Sequence, residues 1–139
     1  MGPLAVNVNT PGETVYIVIE TPVGLSHPIH LHGHDFYVLS AGNGSYTNQT
    51  LNLANPPRRD VATLPIAGYL VIAFVADNPG SWLLHCHIGW HVSMGFALQI
   101  IETPELARQQ ITDDSLTENC AAWVEWDAIT KVQEIDSGV

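Results

Sequence analysis

Residues Thr14–Glu20 have the sequence Thr-Val-Tyr-Ile-Val-Ile-Glu, and this run of β-branched residues points to the fold class. Its apolar side chains alternate, so Val15, Ile17 and Ile19 fall on one face of an extended strand. The same strand-forming composition recurs along the chain at Phe36–Ser40, Val61–Leu64, Tyr69–Ala76, Trp82–His85 and Ala97–Glu102. Turn residues separate these segments at Pro11-Gly12, Pro56-Pro57, Pro65 and Pro79-Gly80. Short strands divided by turns predict an all-β, Greek-key sandwich or barrel.

The sequence changes character after Glu102. Thr103-Pro104-Glu105 is a typical helix start, with Thr103 as N-cap and proline in the first position. We expect helices at Pro104–Gln110 and Ser115–Trp126, the second capped by Ser115 or Asp114, and then a polar tail at Ile135–Val139. The 139 residues therefore predict one domain, with a β core at about 1–102 and a helical extension and tail at about 103–139.

Composition excludes several classes of function. The formal net charge is −10, which argues against nucleic acid or an anionic membrane as a partner. The longest apolar run, Tyr69–Ala76, is too short to cross a bilayer. No basic region and apolar stretch follow Met1, so we expect either a cytosolic protein or a chain that begins inside a longer one.

Histidine is the most informative residue type. All seven histidines lie in two short segments, namely His27, His30, His32 and His34 in the first and His85, His87 and His91 in the second. Such clustering is typical of metal ligands.

The second segment places a thiol between two imidazoles. On an extended strand, His85 and His87 would share one face and Cys86 would point to the other. A thiolate on one side and two imidazoles on the other can serve two metal centres, with a short path for an electron between them. Cys86 and His91 together with a distant histidine form the trigonal ligand set of blue copper.

The distant histidine is expected from the first segment, His27–His34. Alternation after Pro28 predicts that His30, His32 and His34 share one face. Two other interpretations stay open at this point. The histidines could be zinc ligands or core residues in a structural module, or the protein could be a stand-alone blue-copper electron carrier.

Both segments resemble the two C-terminal copper motifs of the multicopper oxidases, and within them the laccases. The matching text is HPIHLHGH at 27–34 and HCHIGWHVSMGF at 85–96, with NPPRRD at 55–60 and DNPG at 77–80 also similar. The tail Asp136–Val139 resembles the C-terminal plug of ascomycete laccases. The resemblance extends from Pro3 to Val139 and implies the third, C-terminal cupredoxin domain of such an enzyme.

The resemblance also implies a role for each ligand. Type 1 copper would be held by His27, Cys86 and His91, type 2 copper by His30, and the type 3 pair by His32, His85 and His87. His34 matches a motif position that is not a ligand, so we expect it to be a supporting hydrogen-bonding residue. Spacing alone makes Met94 a candidate axial ligand, but the family pattern places Phe96 there, and phenylalanine cannot coordinate.

The activity implied is a laccase oxidation. A phenolic or aromatic-amine donor would give one electron at the exposed edge of His91, and the electron would pass through Cys86 to His85 and His87. There the type 2 and type 3 coppers form a trinuclear cluster that reduces O₂ to water. That cluster needs eight histidines in the family, and this chain offers four, so the N-terminal domain would have to supply the others. Ascorbate or bilirubin oxidation is an alternative within the family.

Features outside the copper motifs favour a secreted protein. The loop Ala41–Pro57 carries two glycosylation sequons, at Asn43 and Asn48. Cys120 is left without a partner once Cys86 is a ligand. In similar ascomycete laccases a C-terminal cysteine forms a disulfide with the first domain, and the alternative is a buried free thiol.

Overall fold

The computed structural model describes residues 4–111 and 114–130. The strands are β1 (Ala5–Val8), β2 (Thr14–Glu20), β3 (His27–Leu31), β4 (Phe36–Asn43), β5 (Arg58–Arg59), β6 (Val61–Leu64), β7 (Gly68–Val75), β8 (Gly80–Cys86) and β9 (Ala97–Glu102). The helices are α1 (Gly89–Ser93), α2 (Pro104–Gln110) and α3 (Ser115–Thr130). Within the described residues, no helix combines the length and apolar character needed to span a membrane.

Two sheets pack face to face. The first has the strand order β1-β9-β8-β3-β6 and the second has the order β2-β7-β4-β5. All the pairs are antiparallel except β1 with β9. This two-sheet sandwich confirms the predicted all-β class.

The core lies between the sheets and includes one of the predicted metal ligands. Ile29, Leu31 and Cys86 contribute from the first sheet, and Ile72 and Phe74 contribute from the second. Strand β7 is buried along nearly its whole length, because Tyr69, Val71 and Ala73 pack on its other face beneath the loop that carries Tyr46 and Leu51. Burial on both faces explains why this strand is a continuous apolar run rather than an alternating one.

Several elements match the sequence prediction and others differ from it. Strands β2, β6 and β9 and helix α2 have the predicted bounds, whereas β7 begins and ends one residue earlier and α3 continues to Thr130. The pattern did not predict β1, β5 or α1, which are too short to show a periodicity. The predicted tail Ile135–Val139 and residue Pro3 lie outside the described residues.

The predicted N-cap of α2 is confirmed, although Thr103 caps the helix through its backbone and not through its side chain. Thr103 occupies the N-cap position, but its side chain makes no capping hydrogen bond, and its φ is 40°. The amides of Leu106 and Ala107 instead donate to its backbone carbonyl. Thr103 is buried at the end of β9, so the sheet rather than the cap sets its conformation.

Helix α3 presents apolar side chains to solvent within the described part of the chain. The exposed residues are Leu116, Trp123, Val124, Trp126 and Ile129. Large apolar side chains left exposed along one helix are typical of a surface that contacts another domain or protein.

Candidate metal centres

One group of donor atoms forms where β3, β8 and α1 meet. His27 begins β3, Cys86 ends β8, and α1 returns the chain so that His91 lies beside both. Cys86 Sγ lies 3.6 Å from His27 Nδ1 and 3.4 Å from His91 Nδ1, and the two nitrogens are 3.2 Å apart. We call these three residues the thiolate triad.

Burial shapes the protonation of the thiolate triad. Desolvation raises the pKa of the Cys86 thiol, and a backbone hydrogen bond with Ile88 opposes this only in part. Desolvation, together with nearby His91, lowers the pKa of His27. Burial therefore favours a neutral His27 imidazole, and a bound cation would supply the charge that stabilises a thiolate at Cys86. Two imidazole nitrogens and one sulfur facing a common point are the donor set of a blue-copper site, so these residues fit copper.

Phe96 and Met94 lie in different surroundings. The ring of Phe96 packs 5.1 Å from the ring of His27 and 6.5 Å from that of His91, measured between centroids. Met94 is 81% exposed. The spacing that made Met94 a candidate axial ligand therefore corresponds to a surface side chain, because Gly95, with a φ of 95°, turns the chain between the two residues.

A second group of donors lies on the opposite face of β3 and β8. His30 pairs with His85 in the sheet register, and His32 Nε2 lies 3.0 Å from His85 Nε2. The ring of His30 lies 4.8 Å from that of His32 and 5.7 Å from that of His87, and the rings of His85 and His87 stack at 5.5 Å. We call these four residues the imidazole cluster. The prediction that His85 and His87 share a face is confirmed.

Backbone carbonyls orient two rings of the imidazole cluster. His30 Nδ1 donates to the Asp60 carbonyl at 2.8 Å, and His85 Nδ1 donates to the Cys86 carbonyl at 2.9 Å. Because a carbonyl only accepts, each ring carries its proton on Nδ1, which leaves Nε2 free to bind a metal. Burial lowers the pKa of His32 and His85, as do the neighbouring histidines. These shifts favour the neutral imidazole, the form that binds a metal, at His32 and His85.

His34 does not share the face of His30 and His32, so that prediction is wrong. Strand β3 ends at Leu31 and Gly33 turns the chain with a φ of 73°. The side chain of His34 is buried, and its Nε2 lies 2.8 Å from the carboxyl group of Glu102. Neither His34 Nε2 nor Glu102 Oε2 has a hydrogen-bond partner in the described part of the chain, so the hydrogen-bonding role of His34 stays a prediction. Sequence reasoning missed Glu102 as its acidic neighbour. The only signal was one charged residue closing an apolar strand.

The remaining predicted residues lie at the surface. Asn43 at the end of β4 and Asn48 in the following loop are both exposed. Cys86 and Cys120 are both free thiols, the first buried and the second exposed on α3, so the alternative of a buried Cys120 is wrong. Trp90 is exposed, and its ring meets that of His91 at 5.8 Å.

The fold and the two centres together define a class of protein. A two-sheet sandwich in which a buried cysteine and histidine meet a second, partly buried histidine is typical of a cupredoxin-like copper domain. The adjoining imidazole cluster offers a second group of metal donors. The family model described as multicopper oxidase matches residues 1–106. The chain therefore belongs to the multicopper oxidase family, and its cofactor is copper.

Relatives and solved structures agree with this membership. Laccase-1 of Botryotinia fuckeliana is 55% identical over 127 residues, which cover 88% of this chain and 23% of that relative. The crystal structure of a laccase from Botrytis aclada is 44% identical with a TM-score of 0.71, covering 97% of this chain and 26% of that one. Fet3p, described as a multicopper oxidase that functions in iron import, is 30% identical with a TM-score of 0.71, covering 86% and 25%. The chain spans about a quarter of the length of these proteins.

Proposed function

We propose that this chain is the C-terminal, third cupredoxin domain of a laccase-type multicopper oxidase. In this proposal the β core comprises residues 1–102 and the extension comprises 103–139. The complete enzyme takes single electrons from phenols or aromatic amines and reduces O₂ to water. The observation that carries the proposal is the back-to-back arrangement of the thiolate triad and the imidazole cluster on two adjacent strands.

The ligand assignment follows the two groups. Type 1 copper is assigned to His27, Cys86 and His91, type 2 copper to His30, and the type 3 pair to His32, His85 and His87. Copper, when bound, supplies reversible one-electron chemistry at the first site and the oxygen chemistry at the second. Phe96 is assigned to the axial position, where its packing against His27 and His91 keeps the site dry and offers no fourth donor.

The protein connects the two centres through one residue. Cys86 contributes its sulfur to the triad, its peptide bond joins it to His85, and its carbonyl accepts a hydrogen bond from His85 Nδ1. His91 is only partly buried and lies beside exposed Trp90, which leaves an edge where a planar aromatic donor can approach. In this proposal Cys86 and His85 connect the two copper centres, and His91 is where the electron donor approaches.

The imidazole cluster also supports a partner proposal. The ligand nitrogens of His30, His32 and His85 lie within 4.8 Å of one another, and exposed His87 stacks on His85 at the margin of this group. The N-terminal domain of the complete oxidase, in the same chain or a cleaved one, supplies the remaining ligands of the trinuclear site. Cys120 and the exposed apolar side chains of α3 face that part of the protein, with Cys120 in an interdomain disulfide. Exposed Asn43 and Asn48 support a secreted glycoprotein.

A stand-alone electron carrier is the competing function. It would need only the thiolate triad, and nothing in that role requires the four histidines of the imidazole cluster. The oriented tautomers of His30 and His85 are therefore the observation that disfavours it.

The test uses the complete oxidase that contains this chain. Copper-loaded wild-type protein should be intensely blue and should consume O₂ with a phenolic donor. Cys86→Ser should abolish the blue absorption and the reaction, whereas Cys120→Ser, the same substitution at the other cysteine, should keep the colour. A blue wild-type protein that consumes no O₂ with any phenol or aromatic amine would favour the carrier. A blue Cys86→Ser variant would refute the ligand assignment.

A further inference from the structure

Glu102 is a fully buried carboxylate at the end of β9 that the proposed chemistry does not use. Removing a carboxylate from water is unfavourable unless hydrogen bonds and charges compensate it. Desolvation raises the pKa of Glu102, while the backbone amide of Asn78 and nearby His34 act in the opposite direction. Because a buried acid is unfavourable without such contacts, we expect Glu102 to hold a particular part of the neighbouring structure in place.

Both carboxyl oxygens of Glu102 contact residues at the turn that Gly33 makes after β3. Oε1 accepts a hydrogen bond from the Asn78 amide, and the side-chain amide of Asn78 donates in turn to the Gly33 carbonyl at 2.9 Å. Oε2 lies 2.8 Å from Nε2 of His34, the residue after Gly33. The carboxyl group of Glu102 therefore reaches Gly33 through Asn78 and lies directly against His34 as an ion-pair contact.

Trp82 closes the same turn from its other side. Its indole Nε1 donates to the Asn78 carbonyl at 2.7 Å. Its ring packs so closely on Gly33 that a Cβ added there would lie 2.5 Å from Trp82 Cδ2. We call Glu102, His34, Asn78 and Trp82 the Glu102 anchor.

His32 is the first residue of this turn. This residue immediately precedes Gly33, lies just beyond the end of β3, and places its Nε2 3.0 Å from His85 Nε2. Its own amide donates to the Leu83 carbonyl, so the remaining freedom of the turn lies at Gly33. We propose that the Glu102 anchor positions His32 as a ligand of the imidazole cluster, with Glu102 and Asn78 acting as positioning residues. This inference rests on the proposed function, because it requires His32 to hold copper.

The thiolate triad does not depend on the Glu102 anchor. His27 stands at the far end of β3 from the turn, and Cys86 and His91 are held by β8, α1 and the hydrogen bond from the Cys86 amide to the Phe96 carbonyl. Loss of the anchor should therefore affect one centre and spare the other. General loss of folding would affect both.

The test compares copper binding at the two centres in the complete oxidase. Asn78→Ala removes the hydrogen bond to Gly33 and keeps the backbone groups that bond Glu102 and Trp82. Glu102→Gln replaces the carboxyl group that faces His34 with an amide of the same shape. Asn52→Ala, in an exposed loop, is the matched control. The readouts are chelator competition, the blue absorption of the thiolate site, and electron paramagnetic resonance and near-ultraviolet absorption of the other coppers.

In both anchor variants we expect the imidazole cluster to release copper ~10- to 100-fold more readily, the usual effect of removing groups that orient a ligand. The blue absorption should be unchanged, and Asn52→Ala should match wild type throughout. Copper retained at wild-type affinity in both variants would overturn the anchor alone, and so would an equal loss from both centres in Asn78→Ala. A wild-type oxidase that holds no copper at the imidazole cluster would overturn the proposed function and the anchor with it.

Discussion

Replacing Gly33 with alanine should be strongly destabilising, because two separate requirements meet at this position. Its φ of 73° lies in the left-handed region, which costs a residue with a Cβ about 1–2 kcal/mol. A Cβ there would also approach three Trp82 ring atoms at 2.5–2.7 Å. Strain of this kind in a packed site costs about 1–3 kcal/mol. We therefore expect Gly33→Ala to lower the free energy of unfolding by about 2–5 kcal/mol, the sum of these two ranges.

Two other glycines separate these contributions. Gly12 has a φ of 76° and open space where a Cβ would lie, so Gly12→Ala should cost only the backbone part, about 1–2 kcal/mol. Gly24 also has open space and no positive φ, so Gly24→Ala should not destabilise the protein.

Chemical denaturation of the metal-free chain, followed by tryptophan fluorescence, measures all three variants under one set of conditions. The comparison requires similar denaturant slopes, since a changed slope would indicate a changed denatured or native state. If Gly33→Ala lowers the free energy of unfolding no more than Gly12→Ala does, the Trp82 ring moves aside freely. The close packing of Trp82 on Gly33 would then not contribute to stability.

Three further outcomes are expected. Phe96→Met should lower the reduction potential of the thiolate triad's copper, because it offers an axial thioether. Met94→Leu, at an exposed position, should leave the potential unchanged. A redox titration in which only Met94→Leu shifts the potential would reverse the assignment. In the folded chain, a thiol reagent should label exposed Cys120 but not buried Cys86. In the complete oxidase it should label neither cysteine, and labelling of Cys120 in that protein would contradict the interdomain disulfide. Burial lowers the pKa of His27, His32 and His85, three of the proposed copper ligands. As pH falls below their ordinary pKa of 6.5, the unfolded chain binds these protons first, so the metal-free chain should become less stable. A free energy of unfolding no smaller at about pH 5 than at about pH 7 would contradict this.

Local patterns carried most of the strand prediction. Alternation in Thr14–Glu20 and the β-branched content of Ala97–Glu102 reflect constraints that act within a single strand, so they are visible without knowledge of the partners. The bounds of β7 were off by one residue, because a strand buried on both faces has no alternation to mark its ends. Helix α1 carries His91 yet has only five residues, too few for a helical period to show.

The histidine segments identified the chemistry but only part of the geometry. Alternation in the strand correctly set Cys86 against His85 and His87, since that rule acts between neighbouring residues. The same rule failed at His34, because β3 ends at Leu31 and Gly33 turns the chain. Where a strand ends depends on its pairing partners as well as on its own residues.

By itself, the sequence determined an all-β chain, two segments rich in metal ligands, and membership of a copper family, because strand period and ligand spacing are short-range properties. Only the tertiary structure decided that β3, β8 and α1 gather their ligands into two separate groups. It also decided that Asp60 and Cys86 orient imidazoles through their carbonyls, and that Glu102 lies against the turn after His32. Backbone acceptors are the same for every residue type, and Glu102 is nearly 70 positions from its partner His34 along the chain. No pattern along the chain reports contacts of either kind.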